Sequence, residues 1–228
     1  MRKRPPPSER ATQAKLRGLG PEQLSDALLK LAEQSDEAEA LVGRLTATTA
    51  ERIQRFKRGL TGVRRRKRFI RWGETGAYAR ELRYLLDELR PGVDDPKTGV
   101  KLVASFIKSD EAVFRAIDDS SGSVGDVFRL DAREHFARFA AECEDKDWVA
   151  DQVFELSRQD DYGVRDAVVE VAGQYLPEPV LRDLAQRMWS EAQATTPPKE
   201  KWDDRDFRRR HWLILVGLLP AASRPRPL

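Results

Sequence analysis

The chain has 228 residues, 40% of them hydrophobic and 35% charged, with a formal net charge of +3. This balance fits a soluble globular protein with a strongly charged surface, large enough for one well-buried domain or an array that behaves as one. The single cysteine, Cys143, excludes an intramolecular disulfide and points to a reducing compartment.

The net charge conceals a marked asymmetry. Residues 1–72 carry 18 Lys/Arg against 8 Asp/Glu, residues 73–200 carry 16 against 27, and residues 201–228 carry 7 against 3. A basic front, an acidic middle and a basic end attract oppositely charged partners or each other. The sequence pI near 9.0 is therefore weak evidence for nucleic acid.

Residues 1–20 read as a basic, Pro-rich tail. Met1-Arg2-Lys3-Arg4-Pro5-Pro6-Pro7 has no apolar run behind it, so it is not a secretory signal. Three prolines also prevent the amphipathic helix of a transit peptide. Pro21 opens a helix with Leu24, Leu28 and Leu31 on its apolar face, since proline suits a first turn. Asp36 starts a second through Leu41 and Leu45. Thr48 or Thr49 caps a third, carrying Ile53, Phe56 and Leu60, which Gly59 and Gly62 weaken. The basic run Arg64-Arg65-Arg66-Lys67-Arg68 follows, and then Phe69, Ile70 and Trp72.

Glu74 to Arg90 predicts the clearest helix, with Tyr78, Leu82, Leu85, Leu86 and Leu89 on one stripe, and Pro91-Gly92 ends it. Val100, Val103, Ala104 and Ile107 line a short helix, and Val113, Phe114 and Ile117 another. Phe128, Ala132, Phe136 and Phe139 then recur at helical spacing. Asp147 is the expected cap of a helix through Val149, Val153 and Leu156. Val168, Val171, Ala172 and Tyr175 follow, and then Val180, Leu184 and Met188. No stretch alternates long enough to demand a strand, so the expected fold is all-α.

Two loops punctuate this succession: Asp118-Asp119-Ser120-Ser121-Gly122 and Asp160-Asp161-Tyr162-Gly163. Their separation lies within the roughly 34 to 47 residues of helical repeats. The expected architecture is a right-handed stack of about ten to twelve short antiparallel helices over residues 21–194, an α-solenoid. Residues 195–203 read as a linker, 204–219 as a final helix and 220–228 as a Pro/Arg tail. Trp212-Leu213-Ile214-Leu215-Val216 is apolar on all sides, whereas a solenoid ordinarily closes with a polar-faced cap. Either this helix packs deep against earlier elements, or the array is truncated. Trp212 to Leu219 is far short of the roughly 20 residues needed to span a bilayer, and a cytoplasmic location is expected.

The segment V-F-R-A-I-D-D-S-S-G-S-V-G-D-V-F, Val113 to Phe128, resembles a bacterial family of unknown function with all-helical, TPR-like or HEAT-like domains. The resemblance extends to Val153-Phe154-Glu155-Leu156, to Asp161-Tyr162-Gly163 and to Phe69-Ile70-Arg71-Trp72, and covers roughly residues 20 to 190. Some members occur beside SWIM-type zinc-binding modules, but zinc ligands of that kind are absent here. The resemblance implies a helical scaffold and supplies no activity.

Candidate chemistry is sparse. Asp118, Asp119, Ser121 and Asp126 offer oxygens to a hard cation, but without the ordered positions of an EF-hand loop. Helix capping explains the same residue types. Loops aligned on one side of a stack also form a continuous binding edge. The Arg64–Arg68 run beside Phe69 and Trp72 suits phosphate contact and base stacking. The plainer alternative is a solvated loop whose two aromatics pack inside. Asp203, Asp204, Asp206 and His211 do not share one helical face, which argues against a metal site. His135 and Cys143 lack two further zinc ligands, and Cys143 has no identifiable base. Gly122-Ser123-Val124-Gly125 lacks a phosphate-loop lysine.

The sequence therefore supports a scaffold without catalytic, metal or cofactor residues. Its expected partner is a protein or peptide with a basic surface, held by Asp118, Asp119, Asp126, Asp160, Asp161 and Tyr162. The alternative is nucleic-acid binding through Arg64, Arg65, Arg66, Lys67 and Arg68. A truncated or inactive paralogue is a third reading.

Overall fold

A computed structural model describes residues 9–158, 162–194 and 204–225. It divides into two units, Met1–Arg52 and Ile53–Leu228.

In the first unit, α1 (Glu9–Arg17) precedes α2 (Pro21–Ala32) and α3 (Asp36–Leu45), and the last two pack together. Pro21 occupies the first turn of α2, and the Ser35 hydroxyl accepts from the Ala38 N–H at 3.4 Å to cap α3. These helices stand where their start signals place them, but their leucines are not enclosed. No residue of α2 is buried. Leu24 is half-buried, and Leu28, Leu31, Leu41 and Leu45 are exposed.

α4 (Thr49–Arg65) is capped by Thr48. The Thr48 hydroxyl accepts from the Glu51 N–H at 3.3 Å, and the Glu51 carboxylate accepts from the Thr48 N–H at 2.8 Å. This reciprocal pair satisfies two amides that a helix start leaves open. Gly59 and Gly62 do not end the helix. At Gly59 a Cβ would stand 2.6 Å from a Leu85 methyl, so the missing side chain lets α4 approach α5 (Thr75–Asp87). Arg64 and Arg65 consequently belong to the last helical turn, and the connector begins at Arg66.

α6 (Pro96–Ile107) is capped by Asp95, which accepts from the Lys97 and Thr98 N–H groups at 3.1 and 2.9 Å. α7 (Asp110–Phe114) is short. α8 (Ser123–Asp126) continues through a π-helical turn, Val127–Ala132, into α9 (Arg133–Glu142). This one rod buries Phe128, Ala132, Phe136 and Phe139 together. α10 (Lys146–Ser157) is capped by Asp145, which accepts from the Trp148 N–H at 3.1 Å, and not by the expected Asp147.

α11 (Asp166–Glu170), α12 (Glu178–Ala194) and α13 (Asp204–Leu218) complete the second unit. α13 packs on α12 and α11. Its Trp212, Leu215 and Val216 are buried, as is Leu219 just beyond, while Phe207 and Ile214 face solvent. The Trp212 ring stacks on Phe154 with centroids 5.2 Å apart. The helix is therefore apolar inwards and packs against the elements before it, as the first of the two readings expects. The fold is all-α: among the described residues the sole β interaction is one parallel bridge, Ile70 to Ile117. None of the described helices is long and apolar enough to cross a membrane.

Candidate functional site

The parallel bridge organises the most distinctive surface. The Ile70 N–H donates to the Ala116 carbonyl at 2.8 Å, and the Asp118 N–H donates to the Ile70 carbonyl at 3.0 Å. Ile70 is buried, so its side chain anchors the contact. The basic connector and the first acidic loop, far apart in sequence, thus lie side by side. Thr75 and Ser121 add a hydroxyl contact at 3.4 Å.

The five cations of the basic run divide into two sets. Arg64 donates to the Ser105 carbonyl at 2.5 Å and the Ser105 hydroxyl at 2.9 Å. Arg66 meets Glu81 at 2.5 Å and lies over the Tyr78 ring, 4.6 Å from its centroid. Burial pushes the Tyr78 phenol up to about 12. Arg68 pairs with Glu74, whose carboxyl is held below its usual range, first by the Arg71 N–H and then by the Arg68 and Arg71 charges. Arg65 and Lys67 are exposed and in no ion pair among the described residues. Phe69 is 54% and Trp72 63% exposed. The two aromatics therefore do not pack inside, because the one inward position of this extended stretch is Ile70.

The acidic loop is a folded turn. The Asp119 carboxylate accepts from the Val124 N–H at 3.1 Å and the Gly125 N–H at 2.7 Å, capping α8. The Asp118 carboxylate accepts from the Ser120 hydroxyl and its N–H. Gly122 adopts φ 72°, the left-handed region open to glycine. Asp126 is exposed.

In the second loop, Asp160 and Asp161 lie outside the described residues. Gly163 adopts φ 65°, so the two loops share a left-handed glycine. Tyr162 packs on Phe114 with centroids 5.0 Å apart, and Phe114 packs on Phe128 at 5.6 Å. A run of three rings thus joins the second loop to the residues directly after Asp126.

Sequence reasoning missed one buried contact. Arg165 donates from two nitrogens to the Asp110 carboxylate, at 2.7 and 2.6 Å, and from a third to the Leu156 carbonyl at 3.4 Å. Both side chains are buried. Nothing local distinguishes this arginine from the exposed ones, because its partner is 55 residues away.

The remaining reactive side chains stay apart. Cys143 is buried beside a cavity of about 360 Å³ lined by Asp95, Lys97 and Asp145. His135 borders a separate cavity of about 130 Å³, its Nδ1 buried and without a hydrogen-bond partner among the described residues. His211 Nε2 lies 3.2 Å from the Ser157 carbonyl oxygen and 3.9 Å from the Asp166 carboxylate. Among the described residues, no group of three or more His, Cys, Asp or Glu side chains could hold a metal ion.

Residues 9–212 match the model of a family of unknown function, DUF6880. That span is wider at both ends than the sequence resemblance implies, and it takes in the first half of α13. No curated protein and no solved structure matches the chain.

Proposed function

The chain belongs to this family of unknown function, and on that premise we propose that it is a non-catalytic helical-repeat scaffold binding a protein or peptide. The contact edge is the pair of acidic loops, with Asp118, Asp119, Asp126, Asp160, Asp161 and Tyr162. The observation that supports it is the Tyr162–Phe114–Phe128 ring contact, which links Tyr162 of the second loop to the turn that follows Asp126. Asp118 and Asp119 are occupied in shaping their turn, so they supply field and rigidity while the exposed Asp126 meets a basic partner directly. Such an interaction weakens with salt.

The test is affinity capture of the tagged chain from its native lysate, with and without nuclease, beside an Asp126→Asn, Asp160→Asn, Asp161→Asn variant. A defined protein retained after nuclease and lost with the variant is the expected outcome. Equal retention by the variant overturns this edge. A second reading, nucleic-acid binding at the Arg64–Arg68 segment, is favoured by the exposure of Phe69 and Trp72, and nuclease-sensitive capture would select it.

A further inference from the structure

Five exposed side chains within eight residues, Arg65, Lys67, Phe69, Arg71 and Trp72, combine free positive charge with aromatic surface. We infer that this connector binds single-stranded nucleic acid, with Arg65, Lys67 and Arg71 on phosphates and bases stacked on Phe69 and Trp72. Arg64, Arg66 and Arg68 take no direct part. The inference rests on the second reading above and changes which residues perform it.

The division follows from the contacts. Arg64 is committed to Ser105, Arg66 to Glu81 and the Tyr78 ring, and Arg68 to Glu74. Releasing any of them for a phosphate means breaking a contact the protein already makes. Arg65, Lys67 and Arg71 are exposed and form no ion pair among the described residues. Neither Phe69 nor Trp72 makes a ring contact with another aromatic in the described residues, although both are more than half exposed. Aromatic side chains left open beside cations are the elements of sequence-tolerant single-strand binding, where each base offers a flat face and each phosphate a charge.

Charge alone would not hold such a ligand. Glu81 and Glu74 offset Arg66 and Arg68, and the neighbouring Asp118 lowers the remaining positive field further. Stacking therefore carries much of the affinity. This favours a single strand over an acidic peptide, whose carboxylates have no flat apolar partner for the rings. It also favours a single strand over a duplex, whose bases are already stacked.

Fluorescence anisotropy of a labelled oligothymidylate of about 12 bases, within the site size of small single-strand binders, tests this with the full chain. Three phosphate contacts give a logarithmic salt slope of about −2, a loss of about 20-fold between 50 and 200 mM salt, whereas five give a loss above about 100-fold. A Phe69→Ser, Trp72→Ser variant should bind at least about tenfold more weakly. Arg65→Ala, Lys67→Ala, Arg71→Ala should flatten the slope. Arg64→Ala, with its circular dichroism unchanged, should bind within about twofold of the parent. The aromatic positions are exposed, so these variants should retain the fold, and circular dichroism checks it. No binding at 50 mM salt overturns the nucleic-acid reading as a whole. Binding lost with Arg64→Ala but kept with Phe69→Ser, Trp72→Ser overturns only this assignment. Equal competition by polyglutamate would replace the single strand with an acidic polypeptide and also overturn it.

Discussion

At the scale of single residues, the buried ion pair between Asp110 and Arg165 dominates. Desolvating two charges is costly, and the twin hydrogen bonds offset that cost only while both partners are present. Arg165→Met should destabilise the chain by about 3–5 kcal/mol, because it leaves the Asp110 carboxylate buried and unpaired. Urea unfolding measures this, and the double variant Asp110→Leu, Arg165→Met should recover most of the loss. His135 makes a second, pH-dependent contribution. Burial first, and then the Arg138 charge, lower its pKa below the ordinary 6.5. Asp87, Arg90, Asp131, Glu134 and Arg138 surround it. Above pH 6.5 the ring is neutral both folded and unfolded. Below it, the unfolded chain takes up a proton that the folded one resists, so this contribution falls as pH drops through 6.5. Replacing His135 by Gln should flatten the stability profile between about pH 7.5 and 5.5, read as the urea midpoint at each pH.

At the scale of elements, α6 and α9 meet where Gly99 faces Phe139. A Cβ on Gly99 would stand 2.4 Å from the Phe139 ring, and that ring is fully buried and cannot retreat. Gly99→Ala should therefore destabilise by about 1–3 kcal/mol in urea unfolding, although alanine is the better helix former. Most helices were legible because their signals are local. Pro21 begins α2 because its fixed φ suits a first turn whose N–H needs no partner, Thr48 begins α4 by accepting from a nearby amide, and Gly92 and Gly122 turn the chain where φ is positive. The cap is Asp145 and not the expected Asp147 because both acids stand at the start of the same helix and composition cannot rank them. The bridge at Ile70 was invisible, since one paired residue leaves no alternating pattern. For that reason the exposure of Phe69 and Trp72, which depends on Ile70 taking the inward position, could not be read either. The acidic loops were legible as turns, but the use of Asp119 as a cap for amides five and six residues ahead needed coordinates.

At the scale of the whole molecule, the two units differ sharply in how much they enclose. The second has a continuous core running from Phe56 through Phe106, Phe136 and Met188 to Leu219. The first has helices with good start signals and little buried surface. Opening free energy tracks enclosed apolar contact. Amide hydrogen exchange should therefore be fast throughout α2 and α3 and slowest in α6, α9 and α12, as mass spectrometry of exchanged peptides would show. Slow exchange in α2 would mean that its exposed leucines are covered in solution. The Asp110–Arg165 contact also bears on how such a chain can change over generations. Its two codons lie 55 positions apart, yet altering either alone passes through a poorly folded intermediate, while altering both does not. The two sites are therefore inherited as one character, and a relative that has lost the acid should have lost the arginine with it.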